Sequence, residues 1–285
     1  MPHHSMQSNH GIATAYTIAT ILRASSLEPL ESRMLVMHVL KKNRIQLITQ
    51  SEYVLTPDEL QRVLMLFSRR EQGEPIAYLT GERGFFGLSL HVTPDVLIPR
   101  PDTELLVELA LHYAPPNSVL LDMGTGSGAI ALAVATQRPD VQVWASDVSE
   151  AALVVAQKNA TAHQCAIHFS QSDWYQDLAD QTWHTIVSNP PYIVQHDPHL
   201  SQGDLRFEPI NALTDHADGL SAYRILIAGA PKRLLCDGWL LLEHGYDQAA
   251  AVTALFSAHG FTQVQSWPDL NGILRVSGGC WSHAS

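Results

Sequence analysis

The sequence predicts an α/β chain in which a small all-α bundle and a β-hairpin linker precede a mainly parallel, Rossmann-like sheet with helices on both faces. Three observations carry that prediction. Capping signals and helical apolar spacing fill residues 1–80, and alternating apolar residues around Gly84-Phe85-Phe86-Gly87 mark a hairpin. From Asp102 onward, short apolar runs alternate with helix-length amphipathic segments, the rhythm of a parallel sheet.

Each element has its own warrant. A mildly apolar stretch from Gly11 to Leu22 reads as a first helix, because no Lys or Arg precedes it as a secretory signal requires. Ser25 with Glu28, and Thr56 with Glu59, have the spacing of capping boxes, and Pro57 suits a first helical position. Leu30, Met34 and Met37 trace one apolar face, and Leu60, Val63, Leu64 and Phe67 another. The character changes at Gln72-Gly73-Glu74-Pro75, and a hairpin pattern runs from Gly81 to Leu97, ending at Pro99-Arg100-Pro101. Leu106, Leu109, Ala110 and Tyr113 then form a helical face. Strands are predicted at Val119–Met123, Val141–Ser146, Ile167–Gln171, Thr185–Ser188 and Trp239–Glu243. Helices are predicted from about Gly128, from Ser149 to about Gln164, and from Asp247 to Ala258. The boundaries this implies are 1–80, 81–101 and 102–285.

Composition narrows the class. At 285 residues, 46% hydrophobic and 16% charged, the chain has the makings of a core and does not read as disordered. Three separated cysteines form no disulfide framework, which fits a reducing, cytoplasmic setting. No apolar run is long enough to span a membrane. The net charge of -11 is uneven: residues 1–80 hold eight Lys/Arg against seven Asp/Glu, and residues 81–285 nine against twenty-one. That balance argues against gripping nucleic acid by bulk electrostatics.

Two motifs carry chemistry. Asp122-Met123-Gly124-Thr125-Gly126-Ser127-Gly128 follows an apolar strand and opens a helix, so its glycines permit a tight turn and close approach of a ligand. Asp147, at the end of the next strand, stands where a carboxylate would bind ribose hydroxyls. The pattern fits NAD or S-adenosylmethionine. Asp122, a carboxylate before the first glycine, suits a cofactor with an ammonium group and favours S-adenosylmethionine. The second motif, Asn189-Pro190-Pro191-Tyr192, follows a strand end. Its prolines remove two N–H donors, so the segment offers mainly acceptors. The Asn189 side-chain oxygen and the Pro190 carbonyl can take both hydrogens of one NH₂ group, with Tyr192 as a flat packing face. That suits methylation of a planar amide or exocyclic amine nitrogen. His196-Asp197-Pro198-His199 has metal-ligand residue types but no completing cluster, so no metal is expected.

With these motifs the sequence resembles the HemK/PrmC protein-(glutamine-N5) methyltransferases. The resemblance extends to Gly73-Glu-Pro-Ile-Ala-Tyr-Leu-Thr-Gly81, Phe85-Phe-Gly87, Val96-Leu-Ile-Pro-Arg-Pro-Asp-Thr-Glu104, Gln171-Ser-Asp-Trp174, Arg206-Phe-Glu-Pro209, Asp218-Gly219 and Leu242-Glu-His-Gly245, over roughly residues 15–276. It implies a helical substrate-recognition domain, a hairpin linker and a seven-stranded methyltransferase domain. The implied reaction carries a methyl group from S-adenosyl-L-methionine to the glutamine of the Gly-Gly-Gln motif of peptide chain release factors, leaving S-adenosyl-L-homocysteine. Carried over, Gly124 to Gly128 line the methionine and ribose part of the cofactor, Asp147 the ribose, and Asp173 and Trp174 the adenine. Asn189 holds the substrate amide and approaches the cofactor, while Pro190, Pro191 and Tyr192 shape the glutamine pocket. Arg100, Pro101 and Glu104 are expected near the cofactor entrance. Met123 stands where Leu is commoner, and Ile273-Leu274 where polar residues are usual. A monomer is expected, with release factors as partners, no stable nucleic-acid complex and no membrane. The alternative is a nucleic-acid adenine N6-methyltransferase, which uses similar chemistry on a planar NH₂; the acidic residues 81–285 disfavour it.

Overall fold

A computed structural model describes residues 16–178 and 180–282. The chain divides into two compact units, Met1–Thr80 and Gly81–Ser285.

Among its described residues the first unit is helical: α1 (Ile18–Ala24), α2 (Pro29–Leu40), α3 (Arg44–Thr49), α4 (Pro57–Glu71) and α5 (Ile76–Thr80). The first predicted helix is realised only from Ile18, and residues 11–15 lie outside the described part. Thr56 and Glu59 form the predicted capping box, each side chain accepting from the other's backbone N–H. Ser25 and Glu28 do not. Ser25 caps the end of α1 and its hydroxyl accepts from Leu27 N, while α2 starts at Pro29 without a side-chain cap. The unforeseen boxes are Thr17 with Thr20 and Asn43 with Gln46. The buried face of α2 is Leu35, Val36 and Val39, whereas Leu30 and Met34 are exposed. In α4, Val63, Leu66 and Phe67 are buried and Leu64 is exposed. Burying each such apolar side chain contributes about 1.5–3 kcal/mol.

The second unit opens with a hairpin of β1 (Glu82–Phe85) and β2 (Leu88–His91), paired antiparallel. Phe86 and Gly87 make its turn, both at positive φ, as a two-residue primed turn requires. Glu104 Oε1 accepts from Phe86 N at 2.9 Å and holds that conformation. Phe85 is buried in the core beside Leu106 and Ala110. The strand stops at His91, short of the predicted Leu97.

The remaining elements are α6 (Glu104–Tyr113), β3 (Val119–Met123), α7 (Ala129–Gln137), β4 (Gln142–Asp147), α8 (Glu150–Ala162), β5 (Ile167–Gln171), β6 (Trp183–Ser188), α9 (Ile210–Leu213), α10 (Ser221–Gly229), β7 (Leu234–Glu243), α11 (Ala249–Ala258), β8 (Thr262–Pro268) and β9 (Leu274–Trp281). Seven strands form one sheet in the order β5-β4-β3-β6-β7-β9-β8. The first five run parallel, and β9 is antiparallel to both β7 and β8. The parallel part is the Rossmann-like sheet that the helix–strand alternation predicts, and with β8 and β9 the sheet has the seven strands that the family resemblance implies. Side chains alternate across the strands: Leu120, Val187 and Leu241 pack with α6 and α7, while Leu121, Ile186 and Leu240 pack with α10 and α11. Strand order reverses between β3 and β6, so chain leaving their carboxyl ends diverges and opens a crevice. No helix of the described residues is long and apolar enough to cross a membrane.

Candidate functional site

Five parallel strands deliver their carboxyl ends to one edge of the sheet. Register pairs Met123 with Ser146 and Ser188, Asp147 with Gln171, and Ser188 with Leu242. Above this edge lies a cavity of about 420 Å³, within the usual range for a small-molecule site. Its lining draws on the glycine turn and the end of β4 with the start of α8 (Gly124, Gly126, Ser146 to Ser149, Ala152), on Ser172, Asp173 and Trp174 after β5, and on Asn189 and Pro191 after β6. Asp95 to Leu97, with Pro209, Asn211 and Ala212, also line it.

The glycine turn is built by its own side chains. Gly124, Gly126 and Gly128 all have positive φ, a region where other residues are strained. The Ser146 carbonyl accepts from the N–H groups of Gly124 and Thr125 at 2.8 and 2.9 Å. Asp122 is fully buried; its Oδ2 accepts from the Thr125 hydroxyl at 2.6 Å and from Ala131 N at 3.2 Å. Its Oδ1 has no partner, and burial pushes the Asp122 carboxyl up to about 7. Asp147 accepts from Gly126 N and Ser149 N, both at 2.9 Å. Burial raises its pKa despite those bonds.

Six of the predicted cofactor residues therefore share the cavity wall: Gly124, Gly126, Asp147, Asp173, Trp174 and Asn189. Asp122, Thr125, Ser127 and Gly128 are not on it. Thr125 bonds Asp122, the Ser127 carbonyl accepts from Asn159 Nδ2, and a Cβ at Gly128 would lie 2.6 Å from Leu132 Cδ1 and 3.2 Å from Ala156 Cβ. That glycine lets α7 and α8 meet. Among the predicted substrate residues, Asn189 and Pro191 reach the cavity and Pro190 is buried behind them. Tyr192 is half-buried, and its phenol titrates above its ordinary value, chiefly through burial and then the Glu243 charge.

Arg100, Pro101 and Glu104 are not among the lining residues, and Arg100 and Glu104 tie the linker down. Glu208, whose side chain is buried, pairs with Arg100 and accepts from Ile98 N at 3.0 Å. Burial raises the Glu208 pKa, against the pull of the Arg100 charge. Val96, Leu97, Asn211 and Ala212 were not among the predicted site residues. Val96 and Leu97 open the Val96–Glu104 segment of the resemblance without an assigned role, and Asn211 and Ala212 have only their position just after Arg206-Phe-Glu-Pro209 as a signal.

The cavity suits a nucleoside cofactor. Asp147 offers a carboxylate at a strand end, Trp174 a flat apolar face, and Gly126 leaves open space where a Cβ would project.

Comparison with known proteins identifies the family. The PrmC N-terminal domain family matches residues 17–81, and the methyltransferase small domain family matches residues 101–204. The release factor glutamine methyltransferase of Burkholderia pseudomallei (strain K96243) is 52% identical over 272 residues, covering 92% of this chain and 95% of that protein. The protein of the same name from Neisseria gonorrhoeae (strain ATCC 700825 / FA 1090) is 50% identical over 259 residues, covering 90% and 94%. A solved methyltransferase from Pyrococcus furiosus superposes with a TM-score of 0.55 at 19% identity over 75% of this chain and 97% of that one, a likeness of fold. With half of its residues identical to such relatives over nearly its whole length, the chain belongs to the HemK/PrmC family of release factor glutamine methyltransferases.

Proposed function

We propose that this protein methylates the side-chain amide nitrogen of the glutamine in the Gly-Gly-Gln motif of peptide chain release factors. The observation that carries the reading is the acceptor-rich Asn189-Pro190-Pro191-Tyr192 segment, leaving β6 at the point where strand order reverses and reaching the cavity through Asn189 and Pro191. The cofactor is S-adenosyl-L-methionine, which when bound supplies an electrophilic methyl group on sulfur.

The chain's own residues do the rest. Gly124 and Gly126 would leave room for the methionine part, Asp147 would accept from the ribose hydroxyls, and Asp173 and Trp174 would hold the adenine. Asn189 Oδ1 and the Pro190 carbonyl accept the two N–H hydrogens of the glutamine. An amide nitrogen is a weak nucleophile because its lone pair is delocalised. Holding both hydrogens with acceptors aims that nitrogen and stabilises the positive charge that develops on it. The alkylated nitrogen is acidic enough to release its proton without a strong base. The enzyme acts as a cytoplasmic monomer on a protein partner, and the excess of twelve acidic charges in residues 81–285 supports a partner other than nucleic acid.

Asn189→Ala tests the assignment. Methyl transfer should fall at least about 100-fold, the scale of losing one group that stabilises developing charge, while calorimetric binding of the cofactor persists. Full transfer by this variant would contradict the role given to Asn189.

A further inference from the structure

Behind Asn189, the ends of β6 and β7 bury a polar cluster that the glycine turn does not use. Glu243 closes β7 one residue beyond Leu242, the partner of Ser188. It is 2% exposed, and its Oε2 has no hydrogen-bond partner. Burial lifts the Glu243 carboxyl, and the neighbouring side chains of Thr103, also buried, and Asn189 pull against that rise. Asn189 Nδ2 also donates to Thr103 Oγ1 at 3.2 Å. The donor end of the Asn189 amide is thereby turned inward. No described residue donates to its oxygen, and Asn189 lines the cavity.

We propose that Glu243 is a positioning residue which, directly and through Thr103, holds the Asn189 amide with its NH₂ inward and its oxygen toward the substrate glutamine. This deepens the proposed glutamine methylation and rests on it. An ionised carboxylate only accepts hydrogen bonds. A reversed Asn189 would set its oxygen against that carboxylate and offer NH₂ to the substrate NH₂, leaving acceptors and donors mismatched on both sides. Glutamine at position 243 removes the bias, because its own NH₂ can serve a reversed Asn189. Burial pushes the Glu243 carboxyl up to about 7, so the bias develops around neutral pH. The other charged and titratable groups facing it are Asp102, which raises it, Arg275, which lowers it, and the phenols of Tyr192 and Tyr223.

The test uses the full chain with a release factor as substrate, comparing wild type with Glu243→Gln, Glu243→Asp and Thr103→Val. Glu243→Gln should lower kcat about 10- to 100-fold, the cost of a misaligned reacting group, with cofactor affinity and KM for the release factor close to wild type. The rise of wild-type kcat between about pH 6 and about pH 8 should be absent in Glu243→Gln and return in Glu243→Asp. Nitrogen NMR of the Asn189 side-chain amide, free of any turnover, should titrate over the same range in wild type and stay constant in Glu243→Gln. If Glu243→Gln does not fold, Thr103→Val carries the test by cutting the hydroxyl link, with the same fall in kcat expected. Wild-type kcat, an unchanged pH profile or a pH-insensitive Asn189 amide overturns the proposal. Wild type that leaves the release factor unmethylated overturns the function reading instead, and the NMR measurement still decides the coupling.

Discussion

Asp122 is fully buried, with one carboxyl oxygen committed to Thr125 and Ala131 and the other without a partner. Its pKa is about 7 in the fold against an ordinary 3.8. Between about pH 4 and about pH 7 the folded protein binds the proton that the unfolded chain has lost, so stability falls as pH rises through that window. Asp122→Asn should remove this part of the slope, on the order of a few kcal/mol at the alkaline end. Denaturant unfolding of wild type and variant at about pH 5 and about pH 8 checks it, and parallel pH dependences would refute it. Since Glu243 is raised in the same way, only the difference between the two proteins isolates Asp122. Gly124, Gly126, Asp147 and Asn189 were legible as cavity residues because a turn, a strand end and an acceptor motif each announce themselves. The inward commitments of Thr125 and Gly128 were not, because they depend on where Asp122 and Ala156 fall in three dimensions. Glu243 was legible only as part of the Leu242-Glu-His-Gly245 resemblance, and its place next to the end of β6 emerged only in the fold.

Among the elements, Glu208 joins the linker to the segment that enters α9. Pro209, Asn211 and Ala212 follow it directly onto the cavity wall, which Asp147 and Trp174 also line. Glu208→Ala leaves Ile98 N without its acceptor and Arg100 without its partner. It should cost roughly 1–3 kcal/mol of stability and weaken cofactor binding more than Asn189→Ala does. Thermal unfolding alongside cofactor titration checks both, and unchanged cofactor affinity would show that this strap does not shape the cavity. Helix α10 was not read from the sequence, but the parallel strands and helices α6, α7, α8 and α11 were readable from periodicity. The β8–β9 pair was not, partly because Gly278-Gly279 reads locally as a turn. In the fold Gly278 lies inside β9, where a Cβ would meet the Leu240 carbonyl oxygen at 2.7 Å. The close approach of β7, invisible in sequence, demands the glycine. The Ser25–Glu28 misreading has a similar cause: Pro29 starts α2 one residue after the glutamate, leaving no N–H there to cap.

For the whole molecule, the helical unit is close to neutral and residues 81–285 are strongly acidic. An amide-methylating motif on an acidic catalytic unit favours a protein substrate over the adenine of a duplex, whose phosphates it would repel. Both substrates present a planar NH₂, so the site chemistry alone does not separate them, and charge together with family membership does. The most direct measurement is to incubate the full chain with S-adenosyl-L-methionine and either a release factor or duplex DNA, then obtain mass spectra of the peptide holding Gly-Gly-Gln and of the nucleosides. A gain of one methyl group on that glutamine, with none on adenine, is the expected result; an unmodified glutamine, or methyl transfer to adenine alone, would contradict the assigned function.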